Sequence, residues 1–192
     1  DGEETTGTLP AITINSDGSL TNRWDNGRQL VYYTSDDTTY FPLQQYGDYS
    51  TVVSSTNGFV LTKKDRSKFT FDSGGKLINV EDSNGNTITC TYDGSNLLTN
   101  ITLPNNQAIT LTYDSGLITT IIDPAGNPTT ITYNSGKPAT ISQNSGEWQW
   151  QFGYQSGTNL INSVINPKGI TKTYQYNSND LITNVIEDSI NR

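Results

Sequence analysis

The chain has 192 residues, of which 32% are hydrophobic and 16% charged, and its formal net charge at neutral pH is −8. That charge repels a phosphate backbone and an anionic bilayer surface, so neither nucleic acid nor membrane insertion is expected, and no apolar run is long enough to span a bilayer. With no histidine and a single cysteine, Cys90, the chain lacks the usual general base, the commonest metal ligand and any internal disulfide, and no cofactor is expected.

Low apolar content can accompany disorder, but disordered chains are poor in aromatic and β-branched residues. Here there are 11 tyrosines, and Thr, Ile and Val are plentiful, which suits pleated, half-buried strands. Residues 1–8 are polar and read as a disordered lead. The chain starts at Asp1 without a signal-peptide pattern, which reads as an excised fragment or a mature product. Residues 9–66 form a less regular β segment. Its strand-like runs are Ala11 to Ile14, Gln29 to Tyr33 and Gly58 to Thr62. The turn signals Ser16-Asp17-Gly18, Asp25-Asn26-Gly27 and Thr56-Asn57-Gly58 separate them.

From residue 67 to 192 one pattern is written about six times. An aromatic recurs at Phe71, Tyr92, Tyr113, Tyr133, Tyr154 and Tyr176, in steps of 20 to 22 residues. An aliphatic series keeps the same period at Val80, Ile101, Ile121, Ile141, Val164 and Val185. Each unit pairs an alternating strand such as Thr87 to Tyr92 with a short return strand such as Leu97 to Ile101. Turns rich in Asp, Asn, Gly and Pro join them, as in Tyr92-Asp93-Gly94 and Asp123-Pro124-Ala125-Gly126-Asn127. About 21 residues per unit leave no room for a crossover helix, so the strands must be antiparallel. The fold predicted is all-β: one continuous domain, a curved antiparallel sheet of repeated β-hairpins whose Tyr and Ile/Val rows form ladders along one face.

Tyr92-Asp93-Gly94, Tyr113-Asp114-Ser115-Gly116 and the Asp123-to-Asn127 turn resemble the YD repeat of RHS proteins, and the stretch from Arg66 to Asn86 is similar to the start of their regular repeats. The pattern departs at Asn134, Asn177 and Gln155, which replace Asp, and at Asn105-Asn106, which replaces a turn Gly. Ser142 to Trp150 also matches poorly. RHS/YD proteins include bacterial polymorphic toxins, toxin-complex B and C components and teneurins. The resemblance implies an open fragment of a hollow shell, too short to close one, secreted or at the cell surface. It implies as partners the remainder of a parent RHS protein and its cargo, with the shell enclosing a C-terminal toxic domain or supporting adhesion. The function expected is structural and non-catalytic.

Few residues invite a chemical role. Cys90 sits in an alternating strand and reads as a small packing residue rather than a reactive thiol. Asp36-Asp37, Glu81-Asp82 and Glu187-Asp188 are sequence neighbours, which on a strand face opposite sides, so they read as turn residues rather than a glycosidase pair. The run Asp82 to Asn86 lacks the later bidentate Glu of a calcium loop. Trp148, Trp150 and Phe152 alternate along one strand and therefore share a face. They are either a thicker patch of core or an exposed aromatic platform for a cell-surface polysaccharide or a receptor. Terminal strands of an open array expose unpaired backbone groups, so the first 60 residues are expected to cap an edge, or an edge to pair as a dimer.

Overall fold

The computed structural model describes residues 9–24, 26–42 and 49–188; the polar lead over residues 1–8 lies outside them. The described residues carry eighteen strands and one 3-10 turn, Asn144–Gly146. The chain divides into two compact units between Gln107 and Ala108. The N-terminal unit holds β1 (Ala11–Ile14), β2 (Leu20–Arg23), β3 (Gln29–Thr34), β4 (Thr39–Pro42), β5 (Thr51–Ser55), β6 (Gly58–Thr62), β7 (Lys68–Phe71), β8 (Leu77–Glu81), β9 (Thr87–Tyr92) and β10 (Leu98–Thr102). The C-terminal unit holds β11 (Ala108–Asp114), β12 (Leu117–Ile122), β13 (Pro128–Asn134), β14 (Lys137–Gln143), β15 (Trp148–Tyr154), β16 (Ile161–Ile165), β17 (Thr171–Tyr176) and β18 (Ile182–Glu187). Within each unit every strand pairs antiparallel with its neighbour in sequence, as short turns without crossovers require.

The N-terminal unit has a closed core. Ile12, Leu20, Tyr32, Val52, Leu61, Phe71 and Leu77 pack in one cluster, and Tyr32, Val52, Leu61 and Phe71 are 0% exposed. The Tyr32 hydroxyl shares a 2.8 Å hydrogen bond with Ser50 Oγ, which satisfies its polar end inside that core. The first strand returns to the seventh hairpin. Ile12 N–H donates to the Gly75 carbonyl at 2.9 Å, and Ala11 bridges Lys76. Part of the β1 edge is thus met by the turn of the β7–β8 hairpin. Asn22 lies in the same interior, 0% exposed, with neither side-chain amide atom partnered among the described residues. Such a group costs about 1–3 kcal/mol against an apolar residue of the same shape.

The C-terminal unit is built differently. Among its described residues no apolar side chain is fully buried; its Ile, Val and Tyr rows are half-covered by their cross-strand neighbours. Ile141 stands opposite Ile131 on one side and Trp150 on the other, and Val164 stands between Phe152 and Lys172. Stabilisation here comes from side-chain pairs along one face of a single layer.

Candidate functional site

The repeat aromatics occupy one defined backbone position. In each hairpin the register shifts at the aromatic, so that a bulge follows its partner, which is the first residue of the return strand in four hairpins and the second, Ile118 or Pro138, in the other two. Phe71 pairs with Leu77, Tyr92 with Leu98, Tyr113 with Ile118, Tyr133 with Pro138, Tyr154 with Ile161 and Tyr176 with Ile182. A bulge kinks the ladder and leaves one residue out of the pairing. Four tyrosine hydroxyls use the carbonyl beside it. Tyr92 donates to the Leu77 carbonyl at 2.8 Å, Tyr133 to Ile118 at 2.8 Å, Tyr154 to Pro138 at 3.0 Å and Tyr176 to Ile161 at 2.7 Å. In every case the acceptor is the residue paired with the aromatic of the preceding hairpin. Four of the repeats are therefore each tied to the one before by a directional bond as well as by packing.

The aliphatic series lies on the same face, one step in from the turn. Val80 pairs with Phe69, Ile101 with Cys90, Ile121 with Leu111, Ile141 with Ile131, Val164 with Phe152 and Val185 with Tyr174. Each Ile or Val of the series stands opposite the residue two before the aromatic of its hairpin. Burial pushes the Tyr92 hydroxyl up to about 12, with Cys90 and Asp72 adding to it, so it stays a donor at any ordinary pH. Burial likewise raises the Cys90 thiol, which keeps it an inert packing residue.

Asp36, Asp82 and Asp123 lie in turns, whereas Glu81 and Glu187, expected in turns, end strands β8 and β18 and pair across them. Oδ1 of Asp82 accepts from the N–H groups of Asn84 and Asn86, and Oδ2 from the Asn86 side-chain amide; Asp123 repeats this with Ala125 and Asn127. Asn177, one of the departures from the repeat, accepts from Asn179 and Leu181 in the same way, so the exchange of Asp for Asn keeps the turn. Asp36 accepts from Thr34, Thr38 and Thr39, while Glu81 pairs with Lys68 at 2.9 Å and Glu187 with Lys172 at 3.1 Å. Among the described residues no group of acids, cysteines or histidines is arranged to hold a metal.

These hydrogen bonds hold the exposed carboxylates of Asp36, Asp82 and Asp123 below the usual range, chiefly through the Thr39 and Thr38 backbone for Asp36 and the Asn86 and Asn127 side chains for the other two. A carboxyl more acidic folded than unfolded contributes stability above its ordinary value of 3.8, and the contribution fades as pH falls through the depressed value. Thermal midpoints should therefore be level from pH 7 to 5 and fall between pH 4 and 2, with Asp82→Asn plus Asp123→Asn flattening part of that fall.

Trp148 and Trp150 are 55% and 42% exposed, and Phe152 is half-buried. With Ile141, Gln143 and Pro167 they line a groove of about 420 Å³. Trp150 faces Ile141 and Trp148 faces Gln143 across the strand pair, so the groove lies on the aliphatic-ladder face.

Two features escaped the sequence reading. One is the set of carbonyls that receive the tyrosine hydroxyls; the signal was the constant offset of 15 or 16 residues from acceptor to Tyr. The other is the residue just before the acceptor. Lys76 lies 4.9 Å from the centre of the Tyr92 ring and Lys137 5.2 Å from that of Tyr154, so a cation covers the next aromatic in both hairpins. Lys137 also donates to the Thr158 carbonyl.

Residues 92–128, the hairpins that display this geometry, match the RHS Repeat family model. Residues 92–128 carry an RHS repeat. The fold is also found in part of much larger solved structures. The crystal structure of TcdB2-TccC3-Cdc42 aligns with a TM-score of 0.54 and 14% identity over 89% of this chain and 12% of that one. That of TcdB2-TccC3 without its hypervariable C-terminal region aligns with a TM-score of 0.54 and 15% identity, over 89% of this chain and 11% of that one. The chain thus spans about an eighth or less of the length of those structures. No curated protein sequence matches it.

Proposed function

We propose that this chain is a non-catalytic wall segment of an RHS shell that encloses or presents a C-terminal toxin or adhesion region, in a secreted or surface protein. The observation that supports it most is the tyrosine-to-carbonyl bond that joins four of the hairpins to the one before. The polar side chains with named roles serve turns and ion pairs, and the apolar ones serve the ladder, so the chemistry of the sequence is used up in building a wall. In the full-length protein the enclosed region should resist protease at concentrations that digest an unfolded chain. Tyr133→Phe, Tyr154→Phe and Tyr176→Phe together should loosen the wall and expose it. Each substitution removes one hydrogen bond and should cost about 1 kcal/mol in a denaturant melt. Equal cleavage in the unmodified protein would refute enclosure.

The exposure of Trp148 and Trp150 favours a second reading, an aromatic platform that stacks on the apolar face of a sugar ring. Saturable binding to a polysaccharide panel, lost in Trp148→Ala and Trp150→Ala, would support it. No binding by the folded chain would remove it.

A further inference from the structure

The Lys76 side chain reaches from one hairpin to the next and meets three groups at once. Its Nζ donates to Asn96 Oδ1 at 2.5 Å, stands 3.6 Å from Asp72 Oδ2 and lies 4.9 Å from the centre of the Tyr92 ring. The amide carbon of Asn96 is one C=O bond beyond that oxygen, so it lies within about 3.7 Å of the nitrogen. Atoms poised to react stand about 3–3.5 Å apart. Each partner is anchored by its own turn. Asp72 Oδ1 accepts from the N–H groups of Gly74 and Lys76, both at 2.9 Å, which leaves Oδ2 to face the ammonium. The Asp72 N–H in turn donates to the Lys76 carbonyl at 2.8 Å. Asn96, at φ +64°, is fixed by its N–H donating to the Asp93 carbonyl at 3.0 Å. The bond from the Tyr92 hydroxyl to the Leu77 carbonyl pins the ring beside them. Lys76 and Asp72 are 35% and 32% exposed, so water is partly displaced from the pair.

We propose that Lys76 and Asn96 form an intramolecular isopeptide bond, with Asp72 as the proton acceptor, that fastens the β7–β8 hairpin covalently to the β9–β10 hairpin. Asp72 Oδ2 takes a proton from the Lys76 ammonium, and the freed amine attacks Asn96 Cγ. The Nζ–Cγ bond forms and the Cγ–Nδ2 bond breaks. The protons shed by Lys76 pass by way of Asp72 to the departing nitrogen, which leaves as ammonium. One ammonium and one carboxamide thus become one secondary amide and one free ammonium ion. Asp72 ends as it began, a carboxylate, and no oxidant or co-reactant is consumed. Lys137 is the internal contrast. It too follows a turn glycine and covers the next aromatic, Tyr154. But Asn134 stands where Asp72 stands, and Lys137 donates to the backbone carbonyl of Thr158 rather than to a side-chain amide. With neither the proton acceptor nor the reactive carboxamide, Lys137 stays hydrogen-bonded and unlinked. The bond follows from the geometry of two adjacent hairpins and does not depend on the shell reading.

The test is intact-mass spectrometry of the folded chain, followed by tryptic digestion. The chain should weigh less than its sequence by one ammonia, and trypsin should fail to cut after Lys76, leaving the residues on both sides in one fragment. Lys76→Arg keeps the cation and should restore the full mass. Asp72→Asn keeps a turn-forming side chain, as Asn177 does, and should slow the reaction about a hundredfold, the worth of one positioned proton acceptor. Lys137→Arg should leave the deficit as it was. Hydrogen-exchange protection across β7 to β10 shows that each variant is folded. Full sequence mass with normal cleavage after Lys76, in the folded chain held for days at neutral pH, would overturn the bond. So would a deficit that persists in Lys76→Arg or is undiminished in Asp72→Asn. A deficit with Lys76 still cleavable would also overturn it, because a succinimide at an asparagine loses the same ammonia without engaging the lysine.

Discussion

Gly75→Ala should destabilise the N-terminal unit by about 3–4 kcal/mol, far beyond what a surface turn glycine usually costs. Two effects add. Gly75 has φ +83°, where a side chain is strained by about 1–2 kcal/mol. In addition, a Cβ at this position would land on the carbonyl oxygen of Ile12, a backbone atom that cannot rotate away. The same approach carries the bond from Ile12 N–H to the Gly75 carbonyl and the bridge from Ala11 to Lys76. Relief of the clash would push β1 off the hairpin and expose Ile12, which is 3% exposed in the native unit and worth about 2 kcal/mol buried. Gly85→Ala is the control. Its φ is +86°, but nothing lies within 4 Å of the new carbon, so it carries the strain without the clash. Denaturant melts of the two variants, with hydrogen exchange at Ile12, separate the terms. Equal losses, with the Ile12 amide still protected in Gly75→Ala, would show that β1 is not held by this contact.

That contact marks the boundary of what the sequence discloses. The period from Phe71 to Tyr176 reports hairpins because each hairpin repeats the same local chemistry: alternation for the strands, Asp or Asn and Gly for the turns. The aromatics pair across the strands at one position of each hairpin, from Phe71 with Leu77 to Tyr176 with Ile182. Strands such as Leu20–Arg23 and Thr39–Pro42 in the divergent segment follow no repeat, so only their neighbours in space define them. The return of Ile12 to Gly75 joins residues 63 apart, and no local pattern records it. The same holds for the tryptophans. Alternation puts Trp148, Trp150 and Phe152 on one face, but their exposure depends on what covers that face, which is a tertiary fact. The bulge is intermediate. It was written in the turn lengths, since the paired return residue lies five to seven positions after each aromatic, yet its consequence for the tyrosine hydroxyl needs the third dimension.

Phe71 turns this difference between the two units into an experiment. Phe71→Ala should cost about 3–5 kcal/mol, because the ring is 0% exposed, lies between Phe59 and Leu77 in the strand pairings and leaves a cavity its neighbours cannot fill. Phe71→Tyr is the more telling change, because it restores the commonest aromatic of the repeat. In the other hairpins the hydroxyl reaches a bulge carbonyl of the preceding one. Phe71 instead follows the divergent segment, with its ring inside the closed core. A hydroxyl added there gives up water without gaining the carbonyl that the ladder supplies, at a cost of about 1–3 kcal/mol. Tyr133→Phe removes a hydroxyl from the ladder and should cost about 1 kcal/mol. Opposite exchanges of the same two residues should thus both destabilise. If Phe71→Tyr proved neutral or stabilising in a denaturant melt, the hydroxyl would have found a partner, and the ladder would begin one hairpin earlier than Tyr92.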